Sequence, residues 1–382
     1  MRKTILCFLS FLSLGCAEPI SHGINSFGSD FYQQSLSDEN ICFSPYSLFS
    51  CLSTAYLGSR GDTEEELVKA LHIDVDQKNF SHLFSKLNKS LLSDRLDCAN
   101  AIWLGRNFSL LNGYEDSIQD FDVQVKNLDF SDTTSSASII NAWVAKKTND
   151  TIKKILSPSD LSKETGAVIT NAIHFQSVWM HPFSTNRTTT SDFYINDKES
   201  SSVQMMQQTN HFPYYENDSY QLLLLPVLSS DSSYNCFFLL PKTSFNDLEN
   251  TFNLSSLLDQ MHLARHESID VRLPRFILEK TLNTKEVLQN LGIKKAFSSQ
   301  ANFLGLIKEG NLCIDKVLHK AFFSIGETGV TASAATAITM RMTATCHRQE
   351  LPISFTADHP FIFGIVDLNS DVVLFLGKLT RP

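Results

Sequence analysis

The sequence predicts a single large α+β domain. Helices and strands interleave along 382 residues with no Pro/Gly/Ser-rich linker and no internal repeat between them. Capped helical stretches fill the first third, and strand-like runs take over from Ala167. Hydrophobic residues make up 42% of the chain, enough for a sizeable core, and 15 Gly with 11 Pro argue against a collagen-like or linker-rich chain. With 32 basic against 41 acidic residues the net charge is −9, which disfavours a general nucleic-acid binder. No apolar run reaches the roughly eighteen residues of a membrane-spanning helix.

Taken in order, residues 1–17 read as a signal peptide and 18–382 as the domain. Arg2 and Lys3 precede an apolar stretch from Ile5 to Leu14, and Gly15-Cys16-Ala17 supplies small residues before Glu18. Secretion is therefore expected; the alternative is a lipid anchor on Cys16 at a bacterial envelope, although Ser13 stands where that motif wants Leu. Ser44-Pro45 is an N-cap followed by proline at the first helical position, with Leu48, Phe49, Leu52, Ala55 and Tyr56 as an apolar stripe and Gly58 as the stop. Thr63 and Glu66 have the spacing of a capping box for a helix running on through Val68–Leu71. A further helix is expected over Asn141–Ile155. Val168–Phe175, Gln221–Val227 and Tyr234–Leu240 read as buried strands, Thr284–Leu291 as a capped helix ended by Gly292, and Phe361–Val366 with Val372–Leu376 as a hairpin around Asn369-Ser370.

Cysteines and catalytic motifs add little. Six Cys remain beyond residue 17, without C-x-x-C or zinc spacing, and Cys42 and Cys236 sit in apolar runs as small core residues. Seven N-x-S/T sequons would matter only in a eukaryotic secretory pathway. No G-x-S-x-G elbow, H-E-x-x-H, phosphate loop or G-x-G-x-x-G occurs, so no catalytic residue, cofactor or metal is assigned and an enzyme is not expected. His174, alone on an apolar strand, reads as a satisfied core histidine.

The informative stretch begins at Val330. Counting alternate positions, Val330, Ala332, Ala334, Thr336, Ile338, Met340 and Met342 form a face that is apolar apart from one threonine. The other face carries Thr331, Ser333, Ala335, Ala337, Thr339, Arg341 and Thr343. Such alternation describes a strand half-buried in a sheet, here far longer than the usual five or six residues. Side chains through Ala337 are small, no proline occurs from Val330 to Leu351, and Gly329 precedes the run as a pivot.

Glu327-Thr328-Gly329 followed by Ala332-Ser333-Ala334-Ala335-Thr336 resembles the hinge of the serpin family. Asn40–Ser47, Leu57–Thr63, Thr170–Phe175 with Trp179 and Pro182-Phe183, Leu273–Phe276, Leu291–Ile293, His319–Ala321, His359–Phe361 and Phe375–Lys378 follow in family order, so that the resemblance runs from about Asn25 to Pro382. It implies a serpin fold: three β-sheets, eight or nine helices and an exposed reactive-centre loop over about 327–352. It also implies a suicide inhibitor. A serine (or cysteine) protease attacks the loop, and the acyl-enzyme is trapped as the cleaved loop inserts into the central sheet; serpin loop insertion is itself a standing example of strand addition with release of stored strain. About fourteen new ladder residues at about 1 kcal/mol each give a gain on the order of 10 kcal/mol.

The resemblance also implies site residues. Glu327, Gly329, Val330, Ala332, Ala334 and Thr336 form the hinge, whose inward positions are neutral and small, as insertion requires. Ser44, Ser47, Asn171 and His319 match a hydrogen-bonded cluster beneath the central strands; Trp179, Arg275 and Glu327 match the group where the loop enters, with an ion pair expected between the last two. Family spacing places the reactive bond at Thr343-Ala344, with Arg341 and Met342 as alternatives and Arg348 as a weaker one. The expected partner is a serine endopeptidase and the expected state a monomer; Lys86, Lys89 and Arg95 are too sparse for a strong heparin site. The other function the family allows is a non-inhibitory carrier, storage protein or chaperone.

Overall fold

The computed structural model describes residues 18–91, 96–229, 233–331 and 351–382. The N-terminal segment 1–17 with Cys16, and the stretch 332–350, lie outside the described residues.

The first half of the chain gives helix α1 (Glu18–Gln34), strand β1 (Ile41–Phe43), α2 (Pro45–Gly58), α3 (Asp62–Ala70), α4 (Gln77–Leu91), β2 (Leu96–Gly105), α5 (Tyr114–Ile118), β3 (Val123–Leu128), α6 (Thr133–Lys147), β4 (Ala167–Phe175) and β5 (Ser177–Val178). The second half gives β6 (Thr189–Asn196), β7 (Glu199–Glu216), β8 (Tyr220–Pro226), β9 (Tyr234–Pro241), α7 (Phe245–Thr251), α8 (Leu254–Leu263), β10 (Arg265–Pro274), β11 (Phe276–Asn283), α9 (Lys285–Asn290), β12 (Ile314–Ile325), β13 (Gly329–Val330), β14 (Ile353–Thr356), β15 (Phe361–Asp367) and β16 (Val372–Leu379).

Hydrogen bonding joins the strands into two sheets. The seven-stranded one runs β3-β2-β4-β12-β13-β5, with β11 on the other side of β12. The nine-stranded one runs β1-β16-β15-β9-β8-β7-β10-β14, with β6 on β7. The 18-residue β7 belongs to two parts of it, pairing with β6 over Glu199–Met205 and with β10 over Met205–Tyr214, and with β8 only at Tyr214–Glu216. The nine-stranded sheet is thus two sheets sharing one strand, so the architecture holds three.

Ser44 caps α2 as its sequence predicts, its side chain accepting from the Ser47 N–H, but all of α2 is buried rather than one stripe. It lies beneath the sheet, packed on β2, β4 and β16. The Thr63–Glu66 capping box does not form. Gly61 occupies the N-cap, at φ +58°, while Thr63 Oγ1 accepts from the Asn302 N–H and Glu66 from the N–H groups of Lys294 and Lys295. Both side chains tie α3 to a distant segment instead. The expected helix over 141–155 is also displaced: α6 begins at Thr133, capped by Asp132, and stops at Lys147, just before Asn149 and Asp150 take positive φ. Its inner face forms a second core on the sheet with Trp103, Val168, Ala172 and Leu318. Thr284 does not cap α9 through its side chain; the hydroxyl donates to the Val317 carbonyl.

Cys42 and Cys236 are buried, and burial pushes both thiols up. One sequon is closed by folding: Asn88 is fully buried and its amide donates to the Asp120 carbonyl.

Candidate functional site

The site is a seam between two parallel strands. β4 and β12 pair directly, in register from Val168–Lys316 to His174–Phe322, with a one-residue shift below that span between Lys316 and Ile314, which pairs with Ala167. Above that last pair the partners change, because Ile325 at the end of β12 pairs with Val330 of β13. On its other side β13 pairs antiparallel with β5, Val330 opposite Ser177 and Gly329 opposite Val178. The chain leaving β12 therefore turns back at once and sets one rung in the fork above the seam.

That turn is held closely. Gly326 and Gly329 exchange backbone hydrogen bonds of 3.0 and 3.3 Å. A Cβ on Gly329 would lie 2.1 Å from the Ser177 carbonyl oxygen, so glycine is needed for close approach. Its φ is not among the positive ones, which revises the pivot expected from sequence. The left-handed residue is Thr331, at φ +50°, a costly conformation for a β-branched side chain. Val330 itself is fully buried.

The entry group assembles around this turn. Trp179 donates its indole N–H to the Gly326 carbonyl and its backbone N–H to that of Thr328, both at 2.9 Å. The Phe183 N–H donates to the Glu327 carbonyl at 2.9 Å. Arg275 Nε lies 3.6 Å from Glu327 Oε2, the expected ion pair, but the arginine is half exposed. Glu327 has a closer partner that the sequence did not suggest, the Thr188 hydroxyl at 2.9 Å; nothing in the polar run around Thr188 singles it out.

The cluster beneath the seam is also brought together. His319 on β12 stands opposite Asn171 on β4. The Ser44 backbone N–H donates to His319 Nε2 at 3.0 Å, and His319 Nδ1 is in contact with Asn171 Oδ1. A backbone N–H can only donate, so Nε2 carries no proton and the ring is the neutral Nδ1–H form. Asn171 in turn donates to the Ser47 carbonyl at 2.8 Å and to Asn100 Oδ1 at 2.6 Å. Asn100, on β2, is a member that sequence reasoning missed, and its signal was a lone amide in the apolar run Ala99–Leu104. Complete burial holds the His319 pKa down at about 3.

On the opposite face of the seam, His174 Nδ1 lies 3.3 Å from Asp97 Oδ2 and its ring meets Phe322 edge to face. Its Nε2 is buried without a partner among the described residues, so it is only half the satisfied core histidine expected. Among the remaining predicted residues, Ala332, Ala334, Thr336, Arg341, Met342, Thr343, Ala344 and Arg348 lie outside the described residues.

Comparison with known proteins fits this architecture. Residues 22–382 match the profile of the family described as Serpin (serine protease inhibitor). An uncharacterized serpin-like protein of Thermococcus kodakarensis is 36% identical, covering 97% of this chain and 88% of its own. A serine protease inhibitor of Cyanea capillata is 28% identical over 90% of this chain and 93% of its own. The crystal structure of Serpin48 from Tenebrio molitor, described as a highly specific serpin, superposes with a TM-score of 0.85 at 31% identity, covering 96% of this chain and 98% of that one. The chain belongs to the serpin family.

Proposed function

We propose that this serpin is a secreted suicide inhibitor of serine proteases, which traps the acyl-enzyme by drawing its cleaved loop into the seam between β4 and β12. The observation that carries this reading is the β13 rung. Val330 pairs with Ile325 on one side and with Ser177 on the other, antiparallel to both. Each pairing independently fixes where later residues would fall. Continued along β12, the first puts position 333 opposite Phe322 and position 336 opposite His319; continued along β4, the second puts them opposite His174 and Asn171. These are the pairs that β4 and β12 already make with each other. One inserted strand thus satisfies both borders without a register shift as far as position 339, opposite Lys316 and Val168.

The register also gives the loop composition a reason. Thr336, the one polar residue on its apolar face, would arrive at the Asn171–His319 cluster. Ser333 would arrive beside His174, whose Nε2 has no partner among the described residues. Ala332 and Ala334 would enter the core face, where small neutral side chains insert without burying a charge. Insertion replaces one parallel ladder by two antiparallel ones, the slightly more stable pairing per residue. Thr331 would exchange its left-handed conformation for an extended one.

The test is incubation with trypsin-, chymotrypsin- and elastase-like enzymes, followed by denaturing electrophoresis and mass measurement of the released fragment. An SDS-resistant complex, with a fragment beginning at Ala344, is expected from attack after Thr343; a fragment beginning at Met342 or Thr343 moves the bond to Arg341 or Met342. Cleavage by every enzyme without complex, and without a rise in unfolding temperature, would mark a non-inhibitory carrier or storage protein instead.

A further inference from the structure

His174 is a buried imidazole with one ring nitrogen partnered and the other not. On β4 it stands opposite Asp97 of β2 on one flank and opposite Phe322 of β12 on the other. Its side chain is only 3% exposed, and Nδ1 lies 3.3 Å from Asp97 Oδ2. The same carboxylate oxygen accepts the Asn149 amide at 2.9 Å, which fixes it in place. An ionised carboxylate can only accept, so the ring proton sits on Nδ1 and Nε2 is left with a lone pair. Burial lowers the His174 pKa, in keeping with a neutral ring. The ring edge opposite Nδ1 is the one that carries Nε2, so this acceptor is turned away from β2 and towards the seam. There it meets the Phe322 ring, edge to face at 5.9 Å, which offers it no donor. Nε2 has no partner among the described residues. Lys320, two residues from Phe322 on the same face of β12, is already engaged by the Lys154 carbonyl and by Glu279.

A strand entering between β4 and β12 takes Phe322 away from the imidazole and sets position 333 in its place, directly opposite His174. Paired residues share a face with Cβ atoms about 5 Å apart, within reach of a serine hydroxyl and an imidazole nitrogen. Position 333 is Ser, whereas the next two positions on that face, 335 and 337, are Ala. We infer that His174 is a specificity-determining residue of the seam, whose Nε2 accepts a hydrogen bond from the Ser333 hydroxyl of the inserted strand. The seam then reads the chemistry of the strand at this position as well as its size. Alanine at 333 would fit the same space but leave a buried acceptor facing no donor, and that difference is the source of the discrimination. The inference rests on the insertion reading above and adds to it a contact on the face remote from the Asn171–His319 cluster.

The experiment is a competition between two synthetic peptides for the intact protein. Both have the fourteen-residue sequence of positions 329–342, one unaltered and one carrying Ser333→Ala, and they bear different mass labels. From an equimolar mixture the parent is expected to take up the serine peptide in about three- to tenfold preference, the scale of one net hydrogen bond. His174→Phe keeps a ring beside Phe322 and offers no acceptor, so there the two peptides should be taken up equally. Nitrogen-15 NMR of the parent with labelled histidine gives a second readout that needs no protein variant: the His174 Nε2 resonance should differ between the serine and alanine complexes. Equal uptake of the two peptides by the parent overturns the assignment, as does a serine preference that survives in His174→Phe. Should His174→Phe fail to fold, an Nε2 resonance that is the same in both complexes overturns it alone. A parent that takes up neither peptide removes the insertion reading and this contact with it, whereas one that takes up both alike removes only the contact.

Discussion

His319 accepts the backbone N–H of Ser44 at 3.0 Å, so a strand of the seam is bonded directly to the N-cap of the helix beneath it. Ser44 has two jobs in one residue. Its side chain caps α2 through the Ser47 N–H, and its backbone holds an imidazole that must remain neutral. Protonation would turn Nε2 into a donor facing a donor, in a fully buried place.

A pH dependence follows. In the unfolded chain the imidazole takes a proton below its ordinary value near 6.5, whereas in the native protein burial delays this to about 3. Between those limits the unfolded state binds more protons, so the native state loses stability as pH falls from 6.5 towards 3. By pH 4.5 the loss is about 3 kcal/mol. Urea unfolding of the parent and of His319→Gln, which keeps an acceptor and a donor, should diverge over this window with the variant less pH-sensitive. Parallel curves would remove the neutral-ring assignment.

At the hinge, Gly329→Ala should separate β13 from β5. Its Cβ has nowhere to go against the Ser177 carbonyl, a backbone atom, so the rung must shift. A cost of about 1–3 kcal/mol is expected, as for overpacking elsewhere. Hydrogen exchange at Val330 and Thr331 should quicken, while exchange along β15 and β16 stays at the parent rate. Unaltered protection at Val330 would show the rung to be less tightly seated than described.

The entry group offers a contrast between its two polar contacts. Arg275 is half exposed and 3.6 Å from Glu327, so Arg275→Ala should cost less than about 1 kcal/mol. Glu327→Ala also strips the Thr188 hydroxyl of its acceptor in a part-buried place and should cost about 1–2 kcal/mol. Glu327→Gln, which retains an acceptor for Thr188, should recover most of that loss. Chemical unfolding midpoints of the three variants decide it; equal costs for Arg275→Ala and Glu327→Ala would give the ion pair the weight assigned here to Thr188.

What the sequence made legible was local. The Ser44-Pro45 cap, the buried run of β4, the β8–β9 pair and the terminal hairpin each follow from neighbours within about ten residues. What it concealed depended on distant partners. Thr63 and Glu66 had the right spacing for a capping box, but the N–H groups of Asn302, Lys294 and Lys295 compete successfully for them. The start of α6 carries Thr133-Thr134-Ser135-Ser136 in place of an apolar stripe, and the Asp132 cap fixes it. The site divides in the same way. The family motif led to Ser44, Ser47, Asn171 and His319, while Asn100 joins them only because β2 lies beside β4. The direct β4–β12 seam, between segments about 150 residues apart, has no trace in either segment alone.

The register yields the most demanding prediction. Position 334 would face Ile173 on β4 and Ala321 on β12, both essentially without solvent contact. Ala334→Arg would carry an unpaired charge into that core, a penalty of several kcal/mol falling on the inserted state alone. The uncleaved protein should keep its unfolding temperature, and the protease should still cut the loop at the parent rate. Partition should change: the fraction of cleavage events ending in SDS-resistant complex should fall at least about tenfold, since each 1.4 kcal/mol against insertion is tenfold in competition with hydrolysis. Ala334→Val, apolar at the same place, separates charge from size and should retain most of the complex. If Ala334→Arg trapped protease as well as the parent does, position 334 would not enter the core face, and the register drawn from Val330 would be wrong.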